Sequence, residues 1–377
     1  MTRILHLTTD SKIAGAEKLL IGIAGEYDRS RFELLFCTLK KRGDLHAEIE
    51  KLSQKCYSLG YDNIICLPAA IIKLVQIIKR NKIDILHTHL FHAGIVGYLA
   101  GIFSGKTAVL ITKHYSNMLY LYGNSFQRFL DRWVLKRAKH IIAISYGVKD
   151  ILVRLDGIAD KKISVIHNGI DLKRFDPLMD AGAKVRRELK IDDDVKIIGT
   201  VGIFHPRKGH EYLIRAADIV CRKRQDVKFL LVGDGILEER LVALRDLLDL
   251  REKVIFTGYR KDIPDLLSIM DIVVHPSLEE GFGLSIIEAM FSGKAVIATN
   301  VGGVPEIIEN RLNGLLIPEK DPEAIADAID YILSNPDKAG ELGSNARSRV
   351  CERFSLSAMV KKYESVYGKI RGNICAA

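Results

Sequence analysis

Paired cysteines, long apolar runs and the common nucleotide-loop signatures are all missing from this chain. Its six cysteines, at positions 37, 56, 66, 221, 351 and 375, form no C-x-x-C pair and no metal-ligand spacing. That excludes a disulfide framework and a zinc knuckle, and the cysteines read as reduced and structural. No stretch approaches the roughly 18 apolar residues that a membrane-spanning helix needs. Met1-Thr-Arg-Ile-Leu-His6 leads into a strand instead of a signal peptide, so a cytoplasmic protein is expected. Gly101-Ile-Phe-Ser-Gly105-Lys-Thr107 is one residue short of a P-loop and follows a helical pattern. No G-x-G-x-x-G opens a helix after the first strand, which argues against a nicotinamide oxidoreductase. Repeats and low-complexity tracts are absent as well.

What is present suits two α/β domains with separate cores: 377 residues, 48% hydrophobic and 27% charged. The net charge of +9 favours anionic partners, whether a nucleoside diphosphate, a phospholipid surface or nucleic acid. Buried-strand runs at Ile4–Thr8, Phe32–Leu39, Ile83–His87, Ala108–Thr112, Ile141–Ile144 and Lys162–Ile166 alternate with helical patterns. A second series follows at Lys196–Val201, Val227–Val232, Val254–Phe256, Ile272–Val274, Ala295–Ala298 and Leu315–Ile317. Such alternation predicts two doubly wound parallel sheets. Residues 171–194 are charged and broken by Pro177, and read as a linker. The expected organisation is therefore a domain over 1–170, a linker over 171–194, a second domain over 195–355 and a terminal helix over 356–377.

The stretch from Val273 to Ile308 carries the most chemistry. A strand, a loop with Glu279, Glu280, Gly281 and Gly283, a helical pattern and a second strand make one βαβ unit. In such a unit ligands bind beyond the carboxyl ends of the strands, where glycines let a phosphate approach the unpaired amides of the next helix. Gly281, Phe282, Gly283 and the amides of Leu284 and Ser285 are placed to hold a diphosphate. Glu280 and Glu288 frame that helix start; carboxylates repel phosphate, so they suit sugar hydroxyls instead. The plainer reading of the pair is an acid favouring a helix N-terminus and a solvated surface acid.

The order Glu280-Gly-Phe-Gly-Leu, Glu288-Ala-Met, Gly293-Lys-Ala-Val-Ile-Ala-Thr and Gly302-Gly-Val-Pro-Glu306 closely resembles the E-x7-E region of retaining glycosyltransferases of family 4, which have the GT-B fold. Other stretches resemble the same family. Ser11-Lys-Ile-Ala-Gly15-Ala-Glu17 is similar to its G-G-A-E loop, with Ala14 in place of the first glycine. Thr112-Lys-His114 is similar to the position whose histidine meets the donor sugar in the interdomain cleft. His167-Asn-Gly-Ile-Asp171 is similar to P-N-G-[IV]-D, and Phe354-Ser-Leu-Ser-Ala-Met-Val to the start of the helix that returns to the first domain. Gly202-Ile-Phe-His-Pro-Arg-Lys-Gly209 is similar to G-R-[LF]-x-x-x-K-G, but Ile203 stands where the family has arginine.

The resemblance implies two parallel-sheet domains facing a cleft and transfer of a sugar from a nucleoside diphosphate to a glycan or glycolipid hydroxyl. It implies Lys208 at the departing diphosphate with Arg207 as the second cation, Glu280 and His114 on the donor sugar, Glu288 on the ribose, and Gly15 at the first loop. No metal and no other cofactor is expected, the nucleotide sugar being a substrate. The histidines at 87, 89, 92 and 114 invite a zinc reading, but neither H-E-x-x-H nor a fourth ligand is present, and they are read as lining a cleft.

Between Tyr115 and His140 four aromatics precede a basic helical pattern. Arg128, Arg132 and Lys136 recur every four residues beside a stripe of Phe126, Phe129, Leu130 and Trp133. Such a helix packs its apolar stripe on the domain, or lies on an anionic lipid surface. Two further functions compete with transfer: a sugar-nucleotide epimerase on the same architecture, and a non-enzymatic basic protein binding nucleotides or nucleic acid, which should bind duplexes with a steep salt dependence. Neither accounts as well for two glutamates around a glycine loop, so nucleic acid is not an expected partner.

Overall fold

The computed structural model describes residues 1–61, 66–105, 107–114, 123–175 and 181–375. Tyr115, Tyr120 and Tyr122, three of the aromatics noted above, and Pro177 lie outside the described residues. The chain forms two compact units, Met1–Ile170 with Leu356–Ala377, and Asp171–Ser355.

The first unit is built on a parallel sheet of seven strands in the order β3-β2-β1-β4-β5-β6-β7. These are β1 (Thr2–Thr8), β2 (Phe32–Thr38), β3 (Lys55–Ser58), β4 (Ile85–His89), β5 (Ala108–Lys113), β6 (His140–Ala143) and β7 (Ile163–Val165). Helices cover the central strands on both faces, which is why β1 and β2 read as near-continuous apolar runs. The edge strand β3, Lys-Cys-Tyr-Ser, has only Cys56 fully buried, so no apolar run marks it in the sequence. β4 extends two residues beyond the expected Ile83–His87 run, because Thr88 and His89 are buried too.

The second unit carries a parallel sheet of six strands in the order β10-β9-β8-β11-β12-β13. They are β8 (Lys196–Val201), β9 (Val227–Val232), β10 (Val254–Gly258), β11 (Ile272–His275), β12 (Ala295–Thr299) and β13 (Leu315–Ile317). In each sheet the strand order reverses once, between β1 and β4 and between β8 and β11. At these switch points the loops leave in opposite directions and open a crevice for a ligand.

Two segments each pack within one unit. In the stretch 171–194, Ala181–Glu188 is a helix packed on the helix Ile263–Ile269. Phe175 sets its ring edge-on to Phe291, 6.5 Å away, so this stretch folds onto the second unit. The terminal helix Leu356–Cys375 belongs to the first unit. Its Leu356 amide donates to the Ile170 carbonyl at 2.9 Å, Glu364 accepts from the Asp28 amide at 2.7 Å, and Arg371 donates to Thr2 Oγ1 at 2.8 Å. Among the described residues no helix is long and apolar enough to cross a membrane.

Candidate active site

The loops after β8 and β11 flank the switch point of the second sheet. After β8 the chain makes a short 3-10 turn, Pro206–Lys208, ended by Gly209 in the left-handed region at φ 64°. A Cβ at Gly209 would stand 2.0 Å from the Pro276 carbonyl oxygen, so only glycine lets the two loops meet. The contact is sealed by the Leu278 amide, which donates to the Arg207 carbonyl at 2.7 Å. Two cations are thereby delivered to two acids. Lys208 Nζ donates to a Glu280 carboxylate oxygen, and the Arg207 guanidinium lies 3.8 Å from Glu279, whose side chain is 4% exposed. Ile203, where the family has arginine, is half exposed.

Glu280 is fixed from behind as well. Its carbonyl accepts from the Gly303 amide at 3.1 Å, and a Cβ on Gly302, at φ 52°, would lie 1.9 Å from that oxygen. Glycine at 302 is therefore what allows the loop after β12 to pack against Glu280, a role that its place in the motif does not reveal. Gly283, at φ 111°, caps the helix Leu284–Phe291. The first intrahelical bonds run from Ile286 and Ile287 to the Gly283 carbonyl. The Leu284 and Ser285 amides precede them and are not consumed by the helix, so an anion there meets donors and the positive helix end together. Phe282 is buried with its ring edge-on to Phe354 at 5.5 Å, so it serves the loop through its backbone and the core through its ring. Gly281 is buried beside it, and Glu288 is buried in the second turn of the helix.

Two histidines that sequence reasoning missed complete this site. His210 opens the helix after Gly209, and His275 ends β11. Burial first and the Lys208 charge second push both down to about 3. Each is a neutral ring beside the cation and adds no charge that competes with it. Their only sequence signal is a histidine at a helix start and at a strand end. Arg260, in the loop after β10, is tied to Glu188 and Asp262.

In the first unit Gly15 is the first residue of the helix Gly15–Glu26, after an extended Ala14 at φ −121°. An alanine fits that backbone without strain. Glu17 is buried and accepts from Thr8 Oγ1 at 2.8 Å, and burial raises its pKa. His114 follows β5, half-buried, with Nε2 3.1 Å from His89 Nδ1. Burial and the neighbouring Lys113 lower its pKa to about 4. The expectation that His87 and His89 line a cleft is corrected: both are fully buried, beside His6, under the terminal helix. His6, which no motif singled out, belongs to that cluster, while His92 lies on the exposed side of the next helix.

The basic helix Ser125–Arg137 also departs from the expected packing. Only Val134 and Leu135 are fully buried, while Phe126 and Phe129 are 66% and 62% exposed. Trp133 meets Tyr98 edge-on at 5.2 Å, and Arg132 donates to the Asp156 carbonyl at 2.8 Å. Near the C-terminal end of the adjoining helix Phe91–Ser104, Ile102 and Phe103 are exposed as well.

Comparison with known proteins bears on these features. The family described as Glycosyl transferases group 1 matches residues 183–349, and Glycosyltransferase Family 4 matches residues 13–174. The alpha-maltose-1-phosphate synthase of Mycolicibacterium smegmatis is 30% identical over 311 residues, covering 76% of this chain and 79% of that one. The UDP-Gal:alpha-D-GlcNAc-diphosphoundecaprenol alpha-1,3-galactosyltransferase of Escherichia coli is 28% identical over 305 residues, 79% of this chain and 78% of that one. Among solved structures, Anabaena HepE in complex with UDP has a TM-score of 0.86 at 25% identity, covering 98% of this chain and 100% of that one. A glycosyltransferase of Rickettsia africae has a TM-score of 0.83 at 27% identity, covering 99% of each. With both sheets, the glycine loops and the matched residues in agreement, the chain belongs to the group 1 glycosyltransferases and has the GT-B fold.

Proposed function

We propose that the protein is a retaining, metal-independent glycosyltransferase that moves a sugar from a nucleoside diphosphate, with uridine as the first candidate base, to a hydroxyl of a lipid-linked or cell-surface glycan. The observation that carries this reading is the Lys208–Glu280 pair at the switch point, beside the amides of Leu284 and Ser285. Support for the donor comes from the UDP complex of HepE, and for the acceptor from the diphosphoundecaprenol substrate in the E. coli relative's name. In the proposed reaction the bond from the anomeric carbon to the diphosphate breaks through an oxocarbenium-like state. Lys208 and the helix N-terminus stabilise the departing charge, which is electrostatic catalysis by donors already in place. Arg207 contributes by neutralising Glu279. Glu280 holds sugar hydroxyls, Glu288 the ribose, His114 the donor sugar, and Gly15 shapes the first loop.

The test is a thermal-shift screen against nucleoside diphosphates and their sugars, since a ligand at a hundred times its dissociation constant stabilises by about 2.7 kcal/mol. Glu280→Gln should keep the diphosphate-induced shift and lose most transfer. Full transfer by that variant would sink the assignment, and isomerisation of the nucleotide sugar with no acceptor would favour the epimerase.

The proposal includes contact with an anionic membrane surface through the Ser125–Arg137 helix. Its exposed Phe126 and Phe129 stand beside Arg128, Arg132 and Lys136, apolar groups among cations, as a surface touching acidic headgroups requires. Sedimentation with phosphatidylglycerol vesicles should fall in Phe126→Ser/Phe129→Ser and with added salt. Sedimentation that is absent, or indifferent to both, refutes it.

A further inference from the structure

One face of the first sheet carries a hydrogen-bonded chain of polar side chains, of which the proposed transfer uses only the last. Parallel register sets His6 beside His87 and His89 beside Thr112, so these four residues share a face. The terminal helix covers that face with Tyr363 and Tyr367, both fully buried. The links are continuous: Thr112 Oγ1 to His87 Nε2 at 2.7 Å, His87 Nδ1 to the Tyr367 hydroxyl at 2.8 Å, and that hydroxyl to His6 Nε2 at 3.4 Å. From there His6 Nδ1 lies 3.1 Å from His89 Nε2, and His89 Nδ1 lies 3.1 Å from His114 Nε2. At the far end the Tyr363 ring lies 5.7 Å from the His87 ring.

Each of the imidazoles at 6, 87 and 89 spends both ring nitrogens in the chain. A neutral imidazole has one donor and one acceptor nitrogen, and a hydroxyl has one hydrogen to give. The direction of any one link therefore dictates all the others. Burial holds the rings neutral: His6 and His114 are lowered to about 3 and about 4, and His87 and His89 well below the ordinary range. Each link can run either way, so the chain has two states, with every hydrogen passed toward His114 or every one passed away from it, and each state gives each ring a single tautomer. A break within the chain would leave a buried donor unmet, a cost that folded proteins avoid.

We propose that the terminal helix, through Tyr367, closes this chain and so holds His114 in one tautomer, with one ring nitrogen committed to His89 and the other to its ligand. The other members of the chain are positioning residues. The consequence for transfer rests on His114 touching the donor sugar, whereas the tautomer does not. A metal reading of His6, His87 and His89, whose nitrogens lie within 4.8 Å of one another, competes for the same atoms. It has no carboxylate in the cluster to offset the ion's charge, and it would break the chain.

The experiment is a two-bond proton–nitrogen correlation on the full chain labelled with 15N-histidine, which reads each ring's tautomer. The wild type should show His114 in one tautomer alone. Tyr367→Phe and Thr112→Val, both nearly isosteric, should give a mixed tautomer there, and Thr112→Ser should restore the single form. In transfer assays the first two should lose kcat with an unchanged donor KM. A mixed tautomer in the wild type, or a pattern unmoved in both isosteric variants, overturns the proposal. So does a rise in Tm with zinc that His6→Gln abolishes. A tautomer that shifts while transfer stays at the wild-type rate supports the chain and removes His114 from the reaction, which separates the two failures.

Discussion

Arg207→Ala should damage the protein through Glu279 and not through the diphosphate. The guanidinium is 3.8 Å from a carboxylate that is 4% exposed, and its own side chain is 18% exposed. Removing one partner of a buried pair costs about 3–5 kcal/mol, and the long separation here argues for less than that, roughly 2–3 kcal/mol. In a domain of this size each kcal/mol moves the midpoint by about 2–4 °C, so the second unit should melt roughly 4–12 °C earlier. Arg207→Ala/Glu279→Gln removes both charges and should recover most of the lost midpoint in differential scanning calorimetry. Transfer assayed well below the midpoint should follow the same order, slow in the single variant and largely restored in the double. Lys208→Ala should lose about one to two decades in kcat, the worth of roughly 1.5–3 kcal/mol for a hydrogen bond to a charged group, and Glu279→Gln should not rescue it. A double variant with a wild-type midpoint and the slow kinetics of Arg207→Ala would refute the reasoning. Arg207 would then act on the departing charge itself, and Ile203→Arg should rescue it in part.

Two further outcomes follow from the same geometry. Gly302→Ala puts a Cβ 1.9 Å from the Glu280 carbonyl oxygen at a left-handed φ and should displace Glu280. Transfer should collapse while the thermal shift with a nucleoside diphosphate survives, and wild-type kinetics would show that the loop after β12 does not hold the acid. His6, His210 and His275 are each lowered to about 3, so between that value and the ordinary histidine range the unfolded chain binds protons that the folded one does not. Stability must therefore fall as pH drops from about 6.5, by about 2 kcal/mol per histidine at pH 5; a midpoint that is flat between pH 7 and pH 5 would contradict their burial as neutral rings.

Much of the fold is legible in the sequence because parallel strands covered on both faces become apolar runs; every strand but β3 announces itself in this way. The glycine loop and its acids are legible because they sit at strand ends, within one short stretch. What the sequence hides is partnership over distance. Lys208 meets Glu280 across 72 residues, and His87 meets Tyr367 across 280. Histidines at alternate positions of a strand look cleft-facing until it is known that a helix from the other end of the chain lies over them. For Ser125–Arg137, helical spacing identified a stripe of aromatics but not what covers it. The structure buries Val134 and Leu135 and leaves Phe126 and Phe129 outside.

The pairing of Lys208 with Glu280 bears on how the proposed reaction would begin. Their side chains are only 15% and 12% exposed, so neither charge can be left alone without a large desolvation cost. On the proposed reading a diphosphate competes with Glu280 for Lys208, and a sugar's hydroxyls compete with Lys208 for Glu280. A nucleotide sugar satisfies both at once, giving the lysine a new anion and the carboxylate new donors. A free nucleoside diphosphate satisfies only the lysine. The pair thus discriminates for the intact donor over its product, because the half-exchange leaves a buried carboxylate uncompensated. Glu280→Gln removes that difference, since a neutral amide neither holds Lys208 nor suffers when it leaves. The same substitution that ends transfer should therefore bring the affinities for nucleoside diphosphate and nucleotide sugar closer together, by strengthening the first and weakening the second.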